Sequence, residues 1–229
     1  MAQLALSFLG PFEARLDDQP LVNFRSAKVQ GLLIYLALTP EQAHARAVLA
    51  ALFWPDEPEL AANHNLRQSL YRLRQLLGAA AGQAEPLAPA EVGQHLLVTR
   101  TTVQFNAAGP YTLDVAAYLA HLAANQPAQA VALYRGDLLP GFTCDSVPFE
   151  EWLRQEREQL HRLALAALLS LADDSLAHGD YHAAQRLVRR QLALEPWREE
   201  AHRQLMQALA LSGDRSAALA QYAVCRRVL

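Results

Sequence analysis

The segment 59–78, with the sequence ELAANHNLRQSLYRLRQLLG, carries side chains suited to contacting nucleic-acid bases. Glutamine can bond adenine through two hydrogen bonds, arginine can bond guanine in the same way, and tyrosine and arginine can contact phosphates. At about 100° per residue, His64, Gln68, Tyr71 and Gln75 lie on one face of a helix. No acidic residue follows the first position of the segment, so its arginines give this part of the chain a charge of about +3.

The remaining positions of the segment predict an amphipathic helix. Four leucines recur at the spacing i, i+4, i+7 and i+11, which places them in one apolar stripe opposite the polar face. They are Leu66, Leu70, Leu73 and Leu77. Gly78 follows, and glycine ends many helices because it readily adopts the left-handed conformation. A polar face on such a helix is most often a solvated surface, so the neighbouring elements decide between the two interpretations.

The elements around this helix have the order of a winged helix-turn-helix. Residues 4–24 alternate in polarity and predict a short antiparallel meander. One helix starts after the N-cap Ser26, and a second spans residues 46–54. An Ala/Pro/Gly-rich connection over 79–93 leads to a hairpin over 96–105. In this architecture the third helix enters the major groove and the hairpin, or wing, meets the backbone or the minor groove, so the context favours DNA recognition.

The residues after the hairpin predict a second, helical domain. Residues 106–112 (NAAGPYT) have the composition of a hinge, and the pattern beyond residue 113 is helical. We therefore expect a winged-helix domain over 1–108 and a helical domain over 109–229. The predicted fold class is mainly α with small β elements.

An internal repeat indicates the kind of helical domain. Residues 179–184 (GDYHAA) recur 34 positions later as residues 213–218 (GDRSAA). Thirty-four residues is the tetratricopeptide (TPR) period, in which antiparallel helix pairs stack on one another. We expect TPR-like helical hairpins. Because the chain stops at Leu229, inside a predicted second helix, we also expect it to be part of a longer protein.

The overall charge limits how such a protein could bind DNA. There are 20 lysines and arginines against 23 aspartates and glutamates, which gives a net charge of −3. Non-specific affinity for DNA depends on the neutralisation of phosphates, so a net acidic chain does not adhere broadly to DNA. We expect focused recognition, weak non-specific affinity and dependence on cooperative or tandem binding.

Patterns for catalysis and metal binding are weak. Lys28, the single lysine, does not belong to a phosphate-binding loop of the G-x-x-x-x-G-K-[ST] type. His178 and His182 are four residues apart, but a predicted helix break lies between them and no cysteine or carboxylate cluster completes a metal site. Cys144 has no nearby histidine in the sequence to activate it. We expect no enzymatic activity, no cofactor and no metal.

Cysteine usage and the N-terminus give an expectation for the compartment. Cys144 and Cys225 cannot form a disulfide scaffold, which suggests a reducing environment. The N-terminus has no signal-peptide pattern, and no apolar run approaches the roughly 18 residues of a membrane span. We expect a cytoplasmic protein that does not enter a membrane.

Several motifs resemble those of the SARP-type bacterial transcriptional regulators. In the first half they are Phe24-Arg25 followed by Lys28, LFWP over 52–55, and NLRQ-x-LYRLR over 65–74. In the second half, AVALYRGDLL over 130–139 and EPWREEAH over 195–202 are similar to the bacterial transcriptional activator domain of that family. The resemblance covers nearly the whole chain in the family's order. It implies an OmpR-like winged helix-turn-helix followed by a TPR-like helical domain.

The resemblance also implies a set of DNA-contacting residues. Gln68, Tyr71 and Arg72 would face the bases. Phosphates would be held by five basic residues: Arg25, Lys28, Arg67, Arg74 and Arg100. Three more residues complete the predicted interface: His64, Asn65 and Thr101.

Partners follow from the same resemblance. They are double-stranded promoter DNA and RNA polymerase, with the protein bound as a homodimer or as tandem protomers on direct repeats. The alternative is a protein-interaction module, in which the TPR-like repeats grip a partner and the winged helix no longer binds DNA. The net charge of −3 and the single lysine favour this alternative.

Overall fold

The computed structural model describes residues 3–78, 91–92 and 94–228. These residues form a mainly helical chain with small β elements, which confirms the predicted fold class. In chain order the elements are β1 (Leu4–Ser7), β2 (Glu13–Leu16), β3 (Gln19–Pro20), α1 (Ala27–Leu38), β4 (His44–Ala45), α2 (Arg46–Phe53), α3 (Glu59–Leu76), β5 (Glu91–Val92), β6 (Leu96–Val98), β7 (Thr102–Phe105), β8 (Tyr111–Leu113), α4 (Asp114–Ala123), α5 (Pro127–Leu133), α6 (Val147–Ala177), α7 (Tyr181–Leu194), α8 (Glu199–Leu211) and α9 (Arg215–Val228).

The chain forms two compact units. The first contains residues 1–117 and 138–157, and the second contains residues 118–137 and 158–229. The predicted boundary between a winged-helix domain and a helical domain, at residue 108, stays a prediction.

The first three helices lie close to their predicted bounds. α1 begins after Ser26, whose hydroxyl oxygen accepts the backbone N–H of Val29 at 3.3 Å. α2 ends at Phe53 and α3 ends at Leu76, each within two residues of the expected position. Gly78 has a left-handed φ of +80°, which confirms its predicted place at the end of α3.

The N-terminal meander belongs to a sheet with the order β3-β2-β1-β8. β1 and β2 are antiparallel, as predicted, with Leu4 opposite Leu16. β8 then pairs with β1 in parallel, with Leu4 opposite Tyr111. This pairing corrects the predicted hinge over 106–112: Tyr111 and the buried Leu113 have the alternation of a strand, and β1 offers them a free edge.

The predicted wing is formed by β6 and β7, which are antiparallel with Leu96 opposite Phe105. They belong to a second sheet with the order β4-β7-β6-β5. The Thr99 side chain stabilises the turn, because its Oγ1 accepts the backbone N–H of Thr102 at 2.8 Å. Within the predicted connection over 79–93, residues 91–92 form β5, and residues 79–90 and 93 lie outside the described residues.

The leucine stripe of α3 lies in the core of the first unit, as predicted. Leu66 and Leu73 are fully buried, while Leu70 and Leu77 keep 3% and 6% of their surface exposed. They pack in a unit where α3 contacts both α1 and α2. Burying a leucine contributes roughly 1.5–3 kcal/mol, so the stripe fixes the rotation of α3 about its own axis.

Residues 138–157 pack within the first unit, although they follow residues of the second unit in sequence. The ring centroids of Phe149 and Phe53 lie 5.1 Å apart, and those of Trp152 and Tyr35 lie 4.6 Å apart. Aromatic pairs of this kind contribute about 0.5–1.5 kcal/mol each beyond the area that they bury. The aromatic contacts therefore attach the start of α6 to α1 and α2.

The second unit contains the repeated motif as two equivalent turns. Gly179 and Gly213 have left-handed φ values of +76° and +92°. Asp180 and Asp214 follow, and the carboxylate of each accepts a backbone N–H three residues further on at 2.9 Å. α7 and α9 begin at these caps, and α8 packs against both helices. The helical hairpins predicted from the repeat are confirmed.

One apolar core cluster of the second unit consists of small and branched side chains from α6, α7 and α8. They are Ala172, Val188, Ala201, Leu205 and Leu209. The two repeats differ at one pair of matched positions, since Val188 is fully buried whereas Tyr222 is 52% exposed. α7 therefore buries a position whose counterpart on α9 faces solvent.

His44, in β4, connects the wing sheet to the end of α1. Its Nε2–H donates to the Thr39 hydroxyl oxygen at 2.8 Å, and that hydroxyl donates to the Tyr35 carbonyl oxygen at 2.7 Å. Burial lowers the pKa of His44 below its ordinary value of 6.5, and a hydrogen bond to Thr39 opposes this shift. The imidazole is therefore neutral in the folded protein at neutral pH.

We expect His44 to make the fold less stable as the pH falls. Its pKa is lower in the folded chain than in the unfolded chain, so its contribution is fully present above about pH 6.5 and is lost as the pH falls toward the folded-state pKa. His44→Gln keeps a donor for Thr39 but does not titrate. Between about pH 8 and about pH 5, its melting temperature should fall less than that of the wild type. Equal falls in thermal denaturation would contradict the assignment.

Candidate nucleic-acid interface

α3 presents its predicted polar face to solvent. His64, Arg67, Gln68 and Tyr71 are all exposed, and Tyr71 has 52% of its surface exposed. The other predicted contacts on α3 are partly buried: Asn65, Arg72 and Arg74. Because the helix has no acid after its first residue, this surface combines hydrogen-bonding groups with positive charge.

Two hydrogen bonds run along the exposed face of α3. The Gln68 side-chain amide donates to Nε2 of His64 at 2.7 Å. The Gln75 side-chain amide donates to the Tyr71 hydroxyl at 2.8 Å. Each bond joins residues four apart, which is the spacing of neighbours on a helix surface. The bonds therefore orient the polar side chains along the helix axis.

The start of α1 supplies two of the predicted cations. Arg25 is exposed and has a left-handed φ of +62°, which is uncommon for arginine. Lys28 is partly buried, and its ammonium lies 5.6 Å from the centroid of the Trp54 ring. That distance allows a cation–π interaction, so Trp54 holds the Lys28 side chain in place.

The wing turn carries Arg100 and Thr101, both exposed. Arg46 ties this turn to α2: its backbone N–H donates to the Thr101 carbonyl at 2.8 Å, and its guanidinium donates to the Thr99 carbonyl at 3.3 Å. Burial, followed by the positive charge of Arg67, lowers the pKa of Arg46. Arg46 and Arg67 therefore repel one another, and an anion beside them would relieve that repulsion.

A cavity of about 510 Å³, here called the α1–α3 pocket, lies within the first unit. Its walls are residues 26–28, Trp54, residues 143–145, and four residues of α3: Asn65, Gln68, Ser69 and Arg72. Four of the predicted contacts thus share one cavity: Lys28, Asn65, Gln68 and Arg72. The other seven do not line it: Arg25, His64, Arg67, Tyr71, Arg74, Arg100 and Thr101.

The loop of residues 143–145, which lines the α1–α3 pocket, is held by hydrogen bonds from the segments before and after it in sequence. The Arg157 guanidinium donates to the backbone oxygens of Leu139 and Phe142, the latter at 3.1 Å. The backbone N–H of Cys144 donates to the Glu150 carboxylate at 2.7 Å. These bonds fix the loop from its own flanking segments.

Gly31, on α1, leaves room for the Phe53 ring. A Cβ added there would lie 3.4 Å from Sγ of Cys144 and 3.1 Å from the Phe53 ring. The distance to the Phe53 ring is shorter than ordinary van der Waals contact, so a side chain at Gly31 would force that ring to move, whereas the Cys144 thiol would lie at ordinary contact distance.

Arg46, Ser69 and residues 143–145 do not appear among the sequence-predicted contacts. Ser69 carried a usable signal, since it is a small polar residue between Leu66 and Leu70 on the buried side of α3. Residues 143–145 carried none, because their place depends on aromatic contacts distant in sequence.

Cys144 lines the pocket but its thiol is not poised to react. Burial, reinforced by the Glu150 carboxylate, raises its pKa to about 12. The thiol is therefore protonated at neutral pH and is a poor nucleophile. Among the residues that the structure describes, no group of three or more His, Cys, Asp or Glu side chains could hold a metal ion. Likewise, no helix in the described ranges has the length and apolarity to cross a membrane.

Residues 112–229 match the bacterial transcriptional activator domain, or BTAD. The match covers more than half of the 229 residues. The chain therefore belongs to the bacterial transcriptional activator domain family, which confirms the predicted SARP-type identity and makes it a transcriptional regulator. Comparison with curated proteins found no match.

The fold is also similar to a solved structure of Mycobacterium tuberculosis EmbR in complex with a low affinity phosphopeptide. The TM-score is 0.66 and the sequence identity is 23%, over 100% of this chain and 59% of that chain. The likeness shows a shared fold. This chain spans a little over half of the length of the EmbR chain.

We expect substitutions on the exposed face of α3 to leave the fold intact. Arg67→Ala and Gln68→Ala should each change the free energy of unfolding by less than about 0.5 kcal/mol, because the side chains face solvent. Leu70→Ala, on the opposite face, should cost about 2–5 kcal/mol because it leaves a cavity. Urea denaturation compares the three. If Arg67→Ala cost as much as Leu70→Ala, the assigned orientation of α3 would be wrong.

Proposed function

We propose that the protein is a sequence-specific DNA-binding regulator that activates transcription. In this proposal α3 enters the major groove of promoter DNA, and the wing formed by β6 and β7 meets the backbone or the minor groove. The helical repeats of the second unit serve dimer, polymerase or other partner contacts. This assigns base recognition to the first unit and protein contacts to the second.

One observation carries the proposal: the exposed face of α3 is polar, positive and free of acid, although the chain as a whole has a net charge of −3. An even distribution of 23 acidic residues over 229 positions would place about two on a helix of 18 residues. α3 has one, Glu59 at its first position, and none on the face that carries His64, Gln68 and Tyr71. An acid-free face lets phosphate oxygens approach without repulsion. The BTAD match supports the same class of protein.

The base contacts are proposed for Gln68, Tyr71 and Arg72. A side-chain amide matches adenine, and a guanidinium matches guanine, through paired hydrogen bonds that discriminate by about 1–3 kcal/mol each. Phosphate contacts are proposed for Arg25, Lys28, Arg67, Arg74 and Arg100. Arg46 joins this second group. Its guanidinium is close enough to Arg67 to be repelled by it, and it donates a hydrogen bond to the Thr99 carbonyl in the wing turn.

Weak non-specific binding follows from the net charge, and the proposal therefore includes cooperative occupancy of direct repeats by a homodimer or by tandem protomers. RNA polymerase is the proposed protein partner at the promoter. A regulator that acts on bacterial promoters works in the cytoplasm. No cofactor or metal and no catalytic activity belong to the proposal.

A salt titration tests the proposal. Random duplex DNA and a duplex selected from a random library are bound to the intact chain at increasing salt. Binding at low salt, with log K falling by several units per unit of log salt, is the expected result. The selected duplex should bind more tightly at every salt concentration. Absence of any binding at low salt would remove the proposed function.

A second candidate function, a protein-interaction module, is favoured by the surface of the second unit. Trp197, Leu219 and Tyr222 are 63%, 72% and 52% exposed. Exposed large apolar side chains are characteristic of surfaces that bind other proteins. This function predicts that the chain binds a protein partner and no DNA, so the same salt titration separates the two.

We expect Arg72→Ala to weaken binding of the selected duplex by about 1–3 kcal/mol and to relax the base preference at one position. The reason is the loss of one paired hydrogen bond to a base edge. Binding measured against a panel of single-base variants of the duplex shows both effects. Arg203→Ala, an exposed arginine of the second unit, is the matched control and should bind like the wild type. An equal loss of affinity for every sequence would instead make Arg72 a phosphate contact.

A further inference from the structure

We propose that the α1–α3 pocket holds one phosphodiester group of the DNA backbone and that Asp145, which also lines the pocket, limits the affinity of that contact. The proposal rests on the DNA binding proposed above and adds a subsite and a residue from outside the winged helix. Asp145 lies within the segment that matches the BTAD family.

The N-terminus of α1 forms one wall of the pocket through Ser26, Ala27 and Lys28. The first N–H groups of a helix have no acceptor within the helix, and the helix dipole favours an anion there. Ser26 already caps the N–H of Val29, so the remaining first-turn groups are left for a ligand. Phosphates bind at helix N-termini for these reasons.

Ser69 gives an independent reason to expect a ligand. It lines the pocket and is only 6% exposed. A serine within a helix usually donates back to the carbonyl four residues earlier, as Ser175 does to Leu171 at 2.8 Å. Among the described residues, nothing accepts from or donates to the Ser69 hydroxyl. The Ser69 hydroxyl oxygen is not one of the fully buried atoms that lack a partner, so it keeps some accessible surface on the pocket and can donate to a phosphate oxygen there.

Lys28 supplies the cation nearest to the helix start. Its ammonium lies 5.6 Å from the Trp54 ring centroid, and both side chains line the pocket. A lysine held against an aromatic ring loses less side-chain freedom when it binds an anion than a fully exposed lysine does.

The charged groups around the pocket favour a singly charged phosphate over a more highly charged one. Lys28 contributes one positive charge and Asp145 one negative charge, and Arg72 is shared with the base that it is proposed to read. A phosphodiester carries one negative charge, whereas a free phosphate monoester carries about −1.5 to −2 at neutral pH and would be repelled more strongly by Asp145 and by the Glu150 carboxylate beside Cys144. The volume of about 510 Å³ also has room for a phosphate together with its flanking sugars.

Asp145 lowers the affinity of the pocket because its carboxylate faces the same space as the bound phosphate. It is exposed and has a left-handed φ of +55°. Asparagine adopts this backbone conformation more easily than most residues, so Asp145→Asn removes the charge without disturbing the loop. Asp18→Asn is a matched control: Asp18 is also exposed, also left-handed at φ +62°, and does not line the pocket.

The first experiment locates the phosphate. Neutral methylphosphonates replace the phosphates of the selected duplex one at a time, and each duplex is bound to the wild type and to Lys28→Ala. One position should weaken binding by the wild type and have no further effect on Lys28→Ala. Lys28→Ala should also reduce the slope of log K against log salt by about 1 and weaken all sequences by the same factor.

The second experiment measures how much the Asp145 carboxylate lowers the affinity for DNA. Asp145→Asn should bind random and selected duplexes more tightly than the wild type, by a similar factor on the order of five, while Asp18→Asn should bind like the wild type. Unchanged affinity in Asp145→Asn together with an unchanged salt slope in Lys28→Ala would overturn the phosphodiester subsite and leave the proposed DNA binding intact.

A further arm separates DNA from free phosphate as the source of the anion. Inorganic phosphate is added to the intact chain at constant ionic strength, and the melting temperature is followed. Stabilisation by inorganic phosphate that Lys28→Ala abolishes, with unchanged DNA binding in that variant, would assign the pocket to a free phosphate and overturn the proposal. Absence of DNA binding by the wild type would overturn both the proposed function and the subsite.

Discussion

Burial of the leucine stripe on α3 is the constraint on which the rest of the interface depends. Leu66, Leu70, Leu73 and Leu77 keep at most 6% of their surface exposed, and together they stabilise the unit by several times the free energy of any surface contact. α3 cannot rotate without exposing them. The opposite face must therefore point to solvent, whatever side chains it carries. The sequence places arginine, glutamine, histidine and tyrosine on that face.

The positions of the charged residues, rather than the net charge, determine which surface of this protein could bind DNA. A net charge of −3 excludes broad adhesion to DNA, but it does not limit a surface from which acids are absent. The exposed face of α3, the start of α1 and the wing turn hold the predicted cations, and Arg46 adds another beside the wing. The acidic residue that lines the α1–α3 pocket is Asp145, which lies far from α1 and α3 in the sequence.

Local physical signals predicted the helices and the wing. Ser26, Gly78 and the repeated Gly-Asp turns are caps whose geometry depends on a few neighbouring residues, and all of them lie where the sequence indicated. The parallel pairing of β1 with β8 and the packing of residues 138–157 in the first unit could not be predicted, because both depend on contacts between residues distant in sequence. The α3 contacts could be predicted from helical periodicity. The part of the pocket wall formed by residues 143–145 depends on the contacts of Phe149 and Trp152, so no nearby residues in the sequence indicate it. The roles of the individual DNA contacts stay predictions.

The exposed face of α3 is the surface proposed to meet DNA. Backbone amide NMR signals of the intact chain, followed while the selected duplex is added, test this proposal most directly. If this face binds DNA, the largest shifts should fall on residues 64–75, with further shifts at the start of α1 and at the wing turn. Large shifts confined to the helical repeats of the second unit, with α3 unchanged, would contradict it.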